Sequence, residues 1–217
     1  MKKMTFHIIT LFPKAFDSYL NESIIKRALQ EKKIKVNFYN PRDFTKDKHK
    51  RVDQKPYGGG PGMVLEADSV LRAVTKAIGR KDRKNVKVIF FEAGGKAFNN
   101  AYAEKVKKQY SHVVMICGRY EGIDSRVKKI LKAEGISIGE YVLTGGELPA
   151  MVVLDAISRR IPGILGNIDS VEENRISSHE IYTRPEVFTW KGKRYRVPKV
   201  LLSGNHKEIE KWKRNTQ

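Results

Sequence analysis

The sequence predicts an α/β protein, a parallel sheet covered by helices. Two observations predict it. Short apolar runs alternate with amphipathic stretches along most of the chain, the pattern of repeated strand–helix units. The apolar runs are solid rather than alternating, which fits strands buried on both faces. The 217 residues are enough for one large domain with a small extension, and for a core that needs no disulfide or metal staple.

The elements follow in order. "MTFHIITLF" (4–12) reads as a strand closed by Pro13. Residues 22–32 read as a helix, and "IKVNFY" (34–39) as a second strand. A polar loop, 41–63, ends in "YGGGPGM". Residues 68–79 read as a helix capped by Asp68 or Ser69 and stopped by Gly79. "VKVIFF" (86–91) and "HVVMIC" (112–117) are strands on either side of a helix at 99–109. A helix near 124–133 leads to the short strand "ISIG" (136–139), and 147–161 is a helix apolar nearly all round. From 163 to 205 the chain is punctuated by Gly, Ser and Pro without a clear period. At the end, Asn205 and Glu208 have capping-box spacing at the start of a last helix. The expected organisation is a domain over 1–162, a flexible linker over 163–176 and a small basic extension over 177–217.

Lys and Arg total 43 against 24 acidic residues, a formal charge of +19. That lies outside the roughly 2–8 that keeps a small domain soluble and points to a polyanion such as RNA. The charge clusters in 42–55, six basic against three acidic residues, and in 191–214, nine against two. Lys48, Lys50, Arg51, Arg184, Arg194 and Arg196 are the candidate RNA contacts. Trp190, Tyr195 and Trp212 are interleaved with the second cluster. Stacking on unpaired bases and ordinary packing are both open to them, and packing is the commoner role for any one aromatic. The lone cysteine, Cys117, ends an apolar strand and reads as a core residue. It excludes an internal disulfide, no metal-ligand cluster can be drawn, and a reducing cytoplasm suits the chain. No run has the length of a membrane span and no signal peptide is legible.

Glycines gather in "YGGGPGM" (57–63), "EAGGKAF" (92–98), "CGRYEGID" (117–124) and "IGEYVLTGGELP" (138–149). The last three follow the most apolar strands, so they should converge at one sheet edge, where open α/β sheets bind ligands. Neither phosphate-binding pattern, G-x-x-x-x-G-K-[ST] nor G-x-G-x-x-G after a strand, occurs. A nucleoside-like ligand without phosphates fits these loops better than a nucleotide.

"PYGGGPGM" (56–63), "CGRYEGID", "SIGEYVLTGGELPAM" (137–151), "SRRIPGILG" (158–166), "YTRPEV" (182–187) and "LLSGNH" (201–206) run in the order found in the bacterial tRNA (guanine-N(1)-)-methyltransferases. The resemblance extends from about residue 4 to the end. It implies the SPOUT class: an α/β fold with a deep C-terminal trefoil knot, a homodimer, and S-adenosylmethionine held bent by the knot loops. It implies methylation of ring nitrogen 1 of the tRNA guanosine just 3′ of the anticodon. Mg²⁺ is implied by the resemblance alone. Carried over, the cofactor cradle is Phe90, Phe91, Gly118, Tyr120, Glu121, Gly122, Ile138, Gly139, Glu140, Tyr141, Val142, Leu143, Gly145, Gly146 and Pro149, and Arg159 matches the catalytic arginine.

The sequence departs from that pattern in three places. Glu92-Ala93-Gly94-Gly95 replaces a small-Pro-Gln-Gly sequence at the first loop. Asn174 stands where the family has its general-base aspartate, with Glu173 adjacent. The chain also stops soon after the helix begun at Asn205, where relatives commonly continue. Three accounts compete at the second departure: Glu173 takes the proton from a shifted register, Asn174 orients the guanine while solvent takes it, or the protein binds RNA and does little chemistry. A SPOUT methyltransferase acting on another RNA is a further alternative.

Overall fold

The structure, a computed structural model, describes residues 3–166 and 180–215. The chain divides into two compact units, Met1–Leu165 and Gly166–Gln217.

In the first unit β1 (Met4–Ile9) leads through α1 (Asp17–Leu20) and α2 (Ser23–Gln30) to β2 (Ile34–Tyr39). A two-residue pair, β3 (Asp53–Gln54) and β4 (Val64–Leu65), precedes α3 (Ala67–Ile78). Then come β5 (Val86–Ala97), α4 (Asn100–Gln109), β6 (His112–Ile116), α5 (Ser125–Leu131), β7 (Glu134–Ser137) and α6 (Glu147–Ser158). The main sheet has the order β2-β1-β6-β5-β7, with every pairing parallel. Since β6 and β7 flank β5, the chain crosses over β5 through α5 in passing from one to the other.

Both faces of the sheet are covered, as the solid apolar strands require. Phe6, Ile8, Ile89 and Met115 pack on one side with residues of α2, α4 and α6. Ile9, Val88, Phe90, Val114 and Ile116 pack on the other with α3 and α5. Phe6, Ile8, Ile89 and Met115 are completely buried, and such side chains each stabilise by about 1.5–3 kcal/mol.

Some local expectations need correction. No side chain caps α3; it begins after Glu66, and Asp68 sits in its first turn paired with Arg72 at 2.9 Å. Gly79 does end it, at φ 54. β5 continues past residue 91, because after a bulge between Phe91 and Lys96 the chain resumes pairing with β7 at Lys96–Ile136. The apolar helix ends at Ser158 rather than 161.

The second unit holds a hairpin of β8 (Val187–Trp190) and β9 (Lys193–Arg196), then α7 (Lys199–Leu202) and α8 (His206–Asn215). Sequence reasoning missed the hairpin. Its two-residue turn, Lys191-Gly192, has both φ values positive, 49 and 76, the type I′ geometry that matches strand twist. The Lys-Gly pair between "VFTW" and "KRYR" was the available signal. Asn205 caps α8, its Oδ1 accepting from the Glu208 N–H at 3.4 Å. None of the described residues of this unit is fully buried.

Candidate active site

The bulged stretch of β5 and the loops after β6 and β7 meet in one cleft. It is lined by 91–93, 118–122, 136–139, 141–146 and Pro149, and it holds about 660 Å³ of empty space, part of it open to solvent.

The loops are joined through main chain. Gly146 N donates to Gly118 O at 3.0 Å, and Arg119 bridges Gly145 in antiparallel fashion. A Cβ on Gly146 would lie 2.5 Å from Cys117 Cα, so only glycine allows the approach. The space beside Gly145 is already occupied: a Cβ there would meet Arg119 Nε at 2.5 Å and Glu147 Oε2 at 2.6 Å. The "YGGGPGM" segment is stitched to the same loop from outside the cleft, with Glu121 N donating to Met63 O and Leu65 N to Gly122 O, both at 3.0 Å.

The cleft collects Phe91, Gly118, Tyr120, Glu121, Gly122, Ile138, Gly139, Tyr141, Val142, Leu143, Gly145, Gly146 and Pro149. Two residues of the expected cradle stand apart. Phe90 packs into the α3/α5 side of the core, because successive residues of a strand face opposite sides. Glu140 is exposed and does not line the cleft. Glu92, the departure at the first loop, lines the wall with its carboxylate 2.5 Å from Lys128 Nζ.

Sequence reasoning passed over Arg119 and Glu147, although both lie inside the quoted motifs. Glu147 is only 3% exposed and accepts a hydrogen bond from Thr10 Oγ1 at 2.7 Å. Arg119 covers the ring of Phe12, 4.5 Å from its centroid. Cys117 is buried, and burial pushes its thiol well up, so it is a packing residue rather than a nucleophile.

The two adjacent arginines are separated by their environments. Arg160 has a side chain 4% exposed, 4.0 Å from Glu104, and donates to Ala156 O at 2.5 Å. Arg159 is half-buried at the end of α6. Glu173 and Asn174 lie outside the described residues. Among the candidate RNA contacts, Lys48, Lys50, Arg51, Arg184, Arg194 and Arg196 are all exposed. Arg51 is held by Asp47 at 2.9 and 3.2 Å, and that pairing keeps the Asp47 carboxyl well below the usual carboxylate range. Among the described residues no group of three or more His, Cys, Asp or Glu is placed to hold a metal, and no helix is long and apolar enough to cross a membrane.

Fold and cleft define a class: a parallel-sheet α/β protein whose strand-end segments line an open cleft without a phosphate-binding turn. Residues 4–217 match the family model described as tRNA (Guanine-1)-methyltransferase TrmD. The chain is similar to proteins named tRNA (guanine-N(1)-)-methyltransferase from several bacteria. That of Caldanaerobacter subterraneus subsp. tengcongensis is 47% identical over 97% of this chain and 86% of its own length. The Clostridioides difficile relative is 44% identical, over 97% and 91%, and the Buchnera aphidicola relative 45% identical, over 96% and 87%. The chain belongs to the tRNA (guanine-N(1)-)-methyltransferase family.

Proposed function

We propose that this chain methylates ring nitrogen 1 of a tRNA guanosine, the one 3′ of the anticodon, using S-adenosylmethionine. The observation that carries the reading is the meeting of two glycine-bearing loops with the β5 bulge in one cleft, within a chain that matches the family along nearly its whole length.

The cleft suits that cofactor. Its walls combine glycine backbone and apolar side chains with a few polar ones, Glu92, Arg119 and Glu121 among them, and the sequence has no phosphate-binding turn. When bound, S-adenosylmethionine supplies a methyl group activated by a sulfonium. Residues 118–122, 138–139 and 141–146 bind and orient it through main-chain groups, with Glu121 the one carboxylate among residues 118–122. Arg159 places positive charge toward the guanine as negative charge develops on the ring. The proton on ring nitrogen 1 needs an acceptor; Glu173 is the nearest carboxylate in sequence to Asn174, and it takes that proton.

The finer architecture is part of the same proposal. The chain passing from β6 to β7 across β5, with loops tied at Gly118–Gly146, supports a deep trefoil knot. Exposed Leu148 and Val152 on α6 support a homodimer. The linker expected over 163–176 lies mostly outside the described residues, and 177–217 serves as an RNA-binding module, in the cytoplasm, where tRNA is matured. Mg²⁺ rests on the family resemblance alone.

The test is transfer of labelled methyl from S-adenosylmethionine to tRNA transcripts carrying guanosine or adenosine at the target position. Label on ring nitrogen 1 of the guanosine transcript alone is the expected result; no label on either overturns the reading. Asn174 favours one rival, a catalytically silent RNA-binding homologue. Glu173→Gln separates the two. It should cut transfer by about 10²-fold or more with cofactor affinity unchanged, whereas a silent protein has no transfer to lose.

A further inference from the structure

The β8–β9 register sorts the hairpin's side chains onto two faces. Phe188 pairs with Tyr195 and Trp190 with Lys193, while Val187 pairs with Arg196 and Thr189 with Arg194. Paired residues share a face and alternate residues share a face. One face therefore carries Phe188, Trp190, Tyr195 and Lys193, and the other carries Arg194 and Arg196.

The aromatic face is open. Phe188 is 54% exposed, Trp190 60% and Tyr195 49%. Phe188 and Trp190 hold their rings nearly parallel, at 14° with centroids 6.4 Å apart, and Lys193 Nζ lies 5.5 Å from the Tyr195 ring centroid. Single exposed apolar residues are ordinary, but a contiguous patch of three aromatics marks a contact surface. Its setting is strongly cationic, with Lys191, Lys193, Arg194 and Arg196 on the same short hairpin. An aromatic face edged by Lys193, with further cations on the reverse of the same hairpin, has the chemistry that receives unpaired bases, through stacking and backbone neutralisation together. An apolar protein partner would not call for that charge.

We propose that the Phe188–Trp190–Tyr195 face is a stacking platform for unpaired RNA bases, with Lys193 at its edge and Arg194 and Arg196 contacting phosphates. The proposal rests on the reading that the chain acts on tRNA, and it places single-stranded nucleotides on this hairpin.

The test uses the full chain and the two tryptophans. Trp212→Phe leaves Trp190 as the only tryptophan. A short unpaired RNA oligonucleotide should quench its fluorescence, and a blunt duplex of the same sequence should not. Trp190→Ala and Phe188→Ala should each weaken tRNA binding by about tenfold while the salt dependence keeps its slope, and Trp190→Phe should retain affinity. Arg194→Ala should instead flatten the log–log salt slope by roughly 0.7 unit. Equal quenching by duplex, or full tRNA affinity in Trp190→Ala, overturns the platform. So does a change in oligomeric state in Trp190→Ala, which would make this face a contact between copies. If methyl transfer to tRNA proceeds and the aromatic variants bind normally, the platform alone fails. If the wild-type chain binds unpaired RNA through Trp190 and transfers no methyl, the proposed function fails and the platform stands.

Discussion

Arg119, on the loop after β6, places Nε 3.0 Å from Oε2 of Glu147, the first residue of α6. The contact is an ion pair without the alignment of a hydrogen bond. The other carboxylate oxygen accepts from Thr10, and the guanidinium lies over Phe12. Three segments are thereby held to one another: the exit of β1, the loop 118–122 and the loop leading into α6. Two of them are cleft walls, so the pair bears on stability and on ligand affinity together. Removing one partner of a buried pair leaves the other charge uncompensated. Since Arg119 is a quarter exposed, with side-chain exposure of 26%, Glu147→Ala should lose about 3 kcal/mol, the low end for such sites. Urea unfolding measures it. Glu147→Gln keeps an acceptor for Thr10 and should lose clearly less. Calorimetry with S-adenosylhomocysteine should show both variants weakened, Ala more than Gln.

The loop junction makes a second prediction. An alanine at Gly146 drives its Cβ into Cys117 Cα and to 3.1 Å from Gly118 N, both backbone atoms that cannot swing aside. Overpacking of that kind costs about 1–3 kcal/mol. Gly94→Ala meets nothing within 4 Å. Thermal unfolding should show a lowered midpoint for the first and none for the second, and S-adenosylhomocysteine affinity should follow the first.

The contrast between these glycines shows what the sequence could convey. That three loops converge was legible, because a parallel sheet puts every strand's carboxyl end on one edge and the solid apolar runs specify that sheet. Which side chain of a strand end faces the cleft was not. Phe90 and Phe91 are equivalent in hydrophobicity, and only the strand's phase in the finished sheet assigns the first to the core and the second to the cleft. Glu147 was illegible for a related reason. An acid after two glycines reads as a helix N-terminal charge, and its burial follows from Thr10, 137 residues earlier. The β8–β9 hairpin was hidden by weak alternation, since neither of its faces is fully buried.

A third prediction concerns pH. His7 is 2% exposed, with Nδ1 3.2 Å from Tyr39 Oη and Nε2 3.2 Å from His112 Nδ1. Burial, helped by Lys81, His112 and Lys35, lowers its pKa from 6.5 to about 4. The folded state therefore resists a proton that the unfolded chain accepts. Stability attributable to His7 is complete above pH 6.5, falls as pH drops toward 4, and changes little below that. Denaturant unfolding from pH 7 to 4 should show the decline, and His7→Gln, which cannot titrate, should flatten it. An identical slope in both proteins would show that other groups set the acid sensitivity.

Helix α6 supplies a fourth. Ala150, Val153, Leu154 and Ile157 are buried in the core, yet Leu148 is 56% and Val152 46% exposed one turn apart on the same side. If that stripe is covered by a second copy, Val152→Glu places a charge in an apolar interface and should yield monomers by light scattering. Methyl transfer should fall with it if each site is completed across the interface. A wild-type protein that is already monomeric at micromolar concentration would remove the stripe from the argument.

The last prediction separates two neighbours that the sequence could not rank. Arg159 and Arg160 both follow the last turn of α6, and either could complement its dipole. The fold assigns Arg160 to structure: its buried guanidinium donates to Ala156 O and faces Glu104 on α4. Arg160→Ala should therefore lower stability by about 1–3 kcal/mol, because a partly buried carbonyl loses its donor. Its residual activity should track the folded fraction. Arg159, half-buried at the helix end, is the arginine to which the proposed function gives the chemistry. Arg159→Ala should leave the melting temperature nearly unchanged and cut the turnover number by roughly 10²–10³-fold, the loss typical of removing one group that stabilises developing negative charge. Arg159→Lys should recover only part of it, since a point charge does not reproduce the guanidinium's planar pair of donors. Thermal unfolding and single-turnover methyl transfer on the same preparations read the two effects separately. Should Arg160→Ala lose turnover at full stability while Arg159→Ala transfers normally, the assignment is reversed.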